Sequence, residues 1–262
     1  MADATIEQPK KRRRMLGWGI ALVVLVVLLV VGYFVAEGAV RNYADGLVRD
    51  QLVTAFDLDA DHPMQIDFGP GSMLLQAASG AIDRVDVGVD DVSLGDLSVD
   101  LDLSAAGIPL DETQTTDTIA ATATVDEANV AKLRDYLSGI QLDSISLGDG
   151  VIDVSTTVKA LFLSVPVSAS IAPSAADGDI VFTPKSVTVS GAEVSIDDLL
   201  SGPLGSVASG FLGAQSFCVA QYLPAAMTLD DVAVTGGNLV LGLTGENVAL
   251  GGSGLSDKGT CG

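Results

Sequence analysis

The sequence predicts an α+β chain in which an N-terminal apolar helix precedes one domain, a long antiparallel sheet wrapped against helices. Three observations carry this. Residues 15–36 contain no charged side chain. From residue 82 onward apolar and polar residues alternate with a period of two, the signature of strands with one buried and one wet face. Hydrophobic residues make up 48% of the chain but aromatics only 5%, so the interior must be built from Val, Leu, Ala and Ile, which suits sheet packing.

The uncharged stretch is 22 residues long, and residues 21–31 are unbroken Ala, Val and Leu. As a helix it spans about 33 Å, enough to cross a hydrocarbon core of roughly 30 Å. Lys10, Lys11, Arg12, Arg13 and Arg14 stand directly before it and Glu37 directly after. The positive-inside rule then places residues 1–14 in the cytoplasm as a basic tail, 15–36 in the plasma membrane and 37–262 outside. The rival reading is a cleaved signal peptide. Against it stands an apolar run longer than the usual 7–15 residues of such a segment.

Beyond the span, Val40, Tyr43, Ala44, Leu47, Val48, Leu52 and Phe56 recur every three or four residues, predicting an amphipathic helix that continues from the membrane. Gly69-Pro70-Gly71 breaks the chain. Residues 72–79 then read as a short helix ended by Gly80. Alternation in 85–89 and 97–103 gives two strands. Residues 125–137 read as a helix, with Asp126 as its cap. Asp149-Gly150 predicts a tight I′ turn between strands at 144–148 and 151–159. Further strands follow at 161–167 and from Asp177-Gly178 through Val189. Residues 197–216 are rich in Gly, Ser and Leu, so a helix there is short and loosely held. A last hairpin turns at Gly236-Gly237. This amounts to eight to ten strands and three or four helices.

Charge and chemistry exclude more than they assign. After residue 36 there are eight basic and 32 acidic residues, a net charge of −24, which repels a nucleic-acid backbone. One histidine, His62, and two cysteines leave no zinc-finger spacing and little for a Ser-His-Asp arrangement. Asp57, Asp59 and Asp61 alternate but lack the Gly and the terminal Glu of a calcium loop. His62 before Pro63 reads as an exposed, idle imidazole. No metal, cofactor or catalytic residue is therefore expected, and the chain is not read as an enzyme. Cys218 and Cys261 lie on the outer side, where disulfides persist. Their single possible pairing closes a loop of about 43 residues, contributing about 4 kcal/mol in the chain-entropy model. The alternative is two unpaired thiols.

The surplus is apolar surface. Met73, Leu74, Leu133, Leu137, Leu199, Leu200, Phe211 and Leu212 are large apolar residues on segments whose other faces are Ser, Gly or Asp. They are the candidates to line a lipid-binding groove between helices and sheet, with 199–212 as its mobile wall. The bland alternative is that they complete an ordinary core.

Element order then brings a family into view. A helix leads into Pro63-Met64-Gln65-Ile66-Asp67-Phe68-Gly69. A Leu-rich helix ending at Ser79-Gly80 follows, then Ile82-Asp83-Arg84-Val85-Asp86-Val87 and Val92-Ser93-Leu94-Gly95-Asp96-Leu97. Near the end stand Leu223-Pro224-Ala225-Ala226-Met227-Thr228-Leu229, Val232-Ala233-Val234-Thr235 and Gly237-Asn238-Leu239-Val240-Leu241. Over residues 40–250 this order resembles the LmeA-like phospholipid-binding family of actinobacterial cell-envelope proteins. The resemblance implies a TULIP-like half-barrel: a long helix lying in a strongly bent antiparallel sheet around an apolar cavity. It also implies a non-catalytic protein that binds phospholipid and supports envelope lipid or lipoglycan assembly, possible partners being envelope biosynthesis proteins. Two departures stand out, the permanent anchor and Gly71-Ser72-Met73-Leu74 where an aromatic is usual. A scaffold protein holding no lipid is the competing reading. Because the full set of alternating strands lies after residue 36, residues 37–262 produced alone should fold as a mostly β domain. A predominantly helical or unfolded circular dichroism spectrum would contradict this.

Overall fold

The computed structural model describes residues 11–94, 96–111, 113–132, 142–160, 163–201, 215–249, 255 and 257–261. Helix α1 (Lys11–Phe56) is unbroken over 46 residues, about 69 Å at helical rise. Its two halves meet different surroundings. Leu25, Leu28, Val31 and Phe34 are each more than half exposed. Val40, Ala44, Val48, Leu52 and Phe56 form a stripe packed on the protein core. The apolar segment and the amphipathic helix are continuous, as expected.

Strand β1 (Met64–Asp67) returns alongside α1, and α2 (Met73–Ser79) follows, capped by the Ser72 hydroxyl at one end and by Gly80, with φ of 84°, at the other. Strands β2 (Ala81–Leu94), β3 (Leu97–Pro109) and β4 (Thr118–Asp126) lead to α3 (Glu127–Lys132). Then come β5 (Ser144–Leu147), β6 (Ile152–Ala160), β7 (Leu163–Ala176), β8 (Asp179–Val189), β9 (Ala192–Val194) and α4 (Ile196–Ser201). Strand β10 (Gln215–Cys218), a 3-10 turn (Ala220–Tyr222), β11 (Thr228–Thr235) and β12 (Asn238–Glu246) follow.

The strands form two antiparallel sheets. The first has the order β1-β2-β3-β4-β12-β11, and the second β10-β8-β7-β6-β5, with β9 also on β8. Strand β11, at the edge of the first sheet, packs against β7 of the second. Register explains why the first sheet has one dry face. Ile66 stands opposite Val87, Val87 opposite Leu103, Leu103 opposite Ala121, and Ala121 opposite Leu243, so aliphatic rows run across five strands. Val85, Val87, Val89 and Val92 are buried under the α1 stripe with Phe68 and Met73. A second cluster, Val99, Val125 and Val130, is closed by Ile145 and Leu147 of β5.

The single long sheet of eight to ten strands expected from sequence is corrected to twelve described strands in two sheets, and the local reading changes at three further places. Residues 118–126 form a strand that periodicity did not single out, because Ala and Thr alternate there with little contrast. The helix expected from 125 starts at Glu127, since Val125 is held in β4 opposite Leu239 and is buried. Asp126 still caps it, its carboxylate accepting the Asn129 N–H at 2.7 Å; residues 133–137 lie outside the described residues. The Asp149-Gly150 turn is not of type I′, because only Gly150, with φ of 72°, enters the left-handed region. The I′ backbone is instead taken at Asp177-Gly178, Ser190-Gly191 and Gly236-Gly237, where both residues have positive φ.

Cys218 and Cys261 are bonded, with Cα atoms 5.9 Å apart and a sequence separation of 43. The bridge ties β10 to the C-terminal segment, which also pairs backbone to backbone through Ala225–Asp257 and Gly259–Leu223. Replacing both cysteines by Ser should lower unfolding free energy by about 4 kcal/mol. Denaturant titration reads this as a lower midpoint, and thiol labelling of the unreduced, unfolded wild type should detect no free thiol.

Candidate functional site

Three surfaces have chemistry worth weighing: a polar junction where α1 meets α2, an open trough on the outer face of the first sheet, and the aliphatic inner faces of both sheets.

The junction is built on two residues one helical turn apart, Glu37 and Arg41, paired at 3.0 Å. The Glu37 carboxylate accepts the Met73 N–H at 2.7 Å, the Leu74 N–H at 3.1 Å and the Ser72 hydroxyl at 2.8 Å. These are donors that the first turn of α2 leaves without helical partners. Arg41 donates to the Gly69 carbonyl at 3.3 Å and to that of Gly71. Gly71 fits a tight corner, since a Cβ there would lie 2.5 Å from the Gln76 amide nitrogen. Burial raises the Glu37 pKa, but the bonds from Met73, Leu74, Ser72 and Arg41 outweigh it and bring it from the ordinary 4.5 to about 2. Twelve residues up α1, Arg49 donates to the carbonyls of His62 (3.1 Å) and Met64 (3.3 Å). The exposed, idle imidazole expected at His62 is corrected here: the side chain is half-buried, and Nε2 donates to the Asp90 carbonyl at 2.7 Å. It fastens the entry to β1 to the sheet.

The trough, of about 600 Å³, is lined by polar positions of β1 to β4, among them Gln65, Asp67, Arg84, Asp86, Asp90, Asp102, Ser104 and Thr122. Its one cation is spent internally. Arg84 donates to both carboxylate oxygens of Asp86, at 2.6 and 2.7 Å, and this hydrogen bonding holds the Asp86 carboxyl below its usual range. Four carboxylates against one guanidinium repel a phosphate. Among the described residues no group of three or more His, Cys, Asp or Glu side chains is placed to hold a metal ion.

The inner faces are aliphatic and incompletely covered. Ala105, Ile119, Ala121 and Leu243 continue the rows that Val87 begins, yet each is only half-buried. In the second sheet, Ile152, Val154, Val165, Val167 and Ala169 share one face and are likewise half-buried.

Of the residues singled out from sequence, Met73 is 2% exposed in the core beneath α1, and Leu74 beside it is half-buried. Leu199 and Leu200 fall on α4. The side chains of Leu199 and Leu200, and all of Leu133, Leu137, Phe211 and Leu212, lie outside the described residues. Sequence reasoning missed Glu37 and Arg41. Their four-residue spacing with opposite charge was visible; their partners some thirty residues on were not.

A family model described as LmeA-like phospholipid-binding matches residues 31–244. No curated protein and no solved structure matches the chain at a significant level.

The depressed Glu37 pKa makes a signed prediction. The junction contributes its full stability above the unfolded value of 4.5 and loses it as pH falls toward about 2. Glu37→Gln should therefore melt at a lower temperature than wild type at pH 7, with the gap closing between pH 4.5 and 2. A gap independent of pH would show that the charge on Glu37 does not hold the junction.

Proposed function

From the chain's membership of the LmeA-like phospholipid-binding family, which the match over residues 31–244 establishes, we propose a membrane-anchored, extracytoplasmic protein that binds phospholipid without catalysis and supports assembly of envelope lipid or lipoglycan. In this reading residues 1–14 are cytoplasmic, 15–36 span the plasma membrane and 37–262 form the lipid-binding domain, as a TULIP-like half-barrel around the lower half of α1. The observation that carries it is the mismatch between apolar face and apolar cover. Two sheets present long aliphatic rows, and many of their members remain half-buried among the described residues. Acyl chains are linear, aliphatic and indifferent to direction, so rows of Val, Leu, Ala and Ile suit them better than they suit an aromatic or polar ligand.

Charge supports the same assignment. A domain at −24, with an acidic trough on its outer sheet face, offers little to a phosphate and must draw its affinity from the chains. Met73 stands in the packed floor. Leu74, Leu133, Leu137, Leu199, Leu200, Phe211 and Leu212 are the proposed lining. Residues 199–212 are the proposed movable wall, because their glycines weaken helix structure by about 1 kcal/mol per residue.

Organic extraction of the purified domain followed by mass spectrometry should recover phospholipid near one per chain. Leu133→Glu and Leu200→Glu should lose that lipid while melting close to wild type, because water enters an open groove around the new charge. A charge set at Val89, which is fully buried, should unfold the domain outright. Lipid-free wild-type protein would favour the scaffold reading instead, and normal lipid content in both groove variants would place the chains elsewhere.

A further inference from the structure

We propose that α2 and the Pro109-Leu110 corner rest in the interfacial layer of the same bilayer that holds α1, so that the domain sits on the membrane and not above it on a stalk. The inference depends on the reading that the bare half of α1 crosses a bilayer.

The argument is one of levels along α1. Strand β1 descends beside the helix toward the apolar span. Arg49 meets the carbonyls of His62 and Met64, Arg41 those of Gly69 and Gly71, and Glu37 the start of α2. Strand β2 pairs with β1 through Asp67↔Asp86. It extends five residues further toward the span, to Ala81, about 16 Å at strand rise. The corner where β2 begins and β3 ends, Ala81↔Pro109, is thereby brought down to the level of Glu37 and the last turns of the span. Helix α2 joins these two points, so it starts and ends near that level. Gly80 at its end is bonded to Leu110, whose N–H donates to the Gly80 carbonyl at 2.9 Å.

What this end of the domain exposes fits a lipid surface. Helix α2 carries no charge over its seven residues. Leu75 is 68% exposed and Leu110 52%. Tyr33 and Phe34, on the adjoining turns of α1, are exposed as well, and aromatic residues favour the headgroup region. In water these side chains stand unpaid; at the level of the acyl boundary they gain apolar burial. The Glu37–Arg41 junction holds α2 to the helix that emerges from the bilayer, so anchoring the helix also positions the foot. A domain this acidic gains nothing from anionic lipid, which makes the contact apolar in origin and independent of salt.

The test uses the full chain in phosphatidylcholine vesicles. Both native cysteines are bonded to each other, so single cysteines at Leu28, Leu75, Leu110 and Thr235 can be labelled with an environment-sensitive fluorophore. Thr235 lies at the opposite end of the first sheet, beyond Asn238↔Asp126. Lipid carrying a nitroxide high on its acyl chain should quench the probes at positions 75 and 110, equally at low and high salt, and leave position 235 bright. Nitroxide deep in the chain should quench position 28. Quenching at 28 without quenching at 75 and 110 overturns the seated domain while leaving the span intact. No quenching at 28 overturns the span and with it the seat.

Discussion

The packing of α1 on the valine rows of β2 is the contact on which the rest of the structure depends. Val85, Val87, Val89 and Val92 can be buried only if something covers them, and Val40, Ala44, Val48, Leu52 and Phe56 of α1 do so. Because α1 is a single unbroken helix, that cover runs straight on from the apolar segment before it. One element is thus solvated by protein along one half and, in the proposed reading, by lipid along the other. Rigid continuity between the two lets a hydrogen-bonded junction at Glu37 and Arg41 set where α2 stands.

Polar and apolar chemistry are divided by strand parity. On the first sheet every second residue faces the dry side, and the others form an acidic, open face with Asp67, Asp86 and Asp102. This separation follows from the period-two geometry of strands and has a functional consequence. A phosphate is repelled by the wet face, whereas an acyl chain finds only aliphatic surface on the dry one. In the proposed reading, phospholipid binding therefore rests on chain burial first and headgroup second.

Turns mark the limit of local reasoning. Asp149-Gly150, Asp177-Gly178 and Gly236-Gly237 all carry residues suited to left-handed backbone, yet only the last two adopt it at both positions. The first sits in a hairpin whose short strand β5 must also pack on α3 and the Val99 cluster. Likewise β4 escaped notice because Thr118–Asp126 alternates Ala with Thr, a weak contrast that becomes a strand only when β3 and β12 pair on either side.

The amino-acid sequence by itself determined the apolar N-terminal segment, the strand periodicity and the short helix 72–79, since each depends on local composition; it left Cys218 and Cys261 one possible pairing, and the tertiary structure showed that pair bonded. It also held the order of motifs that marks the family. The tertiary structure alone decided which rows α1 covers, which carbonyls Arg41 reaches and how far β2 descends beside the helix. Those depend on contacts some thirty residues or more apart along the chain. Long-range burial selects them through strand register, and a register shift of one residue would leave every local pattern unchanged while reversing each face of the sheet.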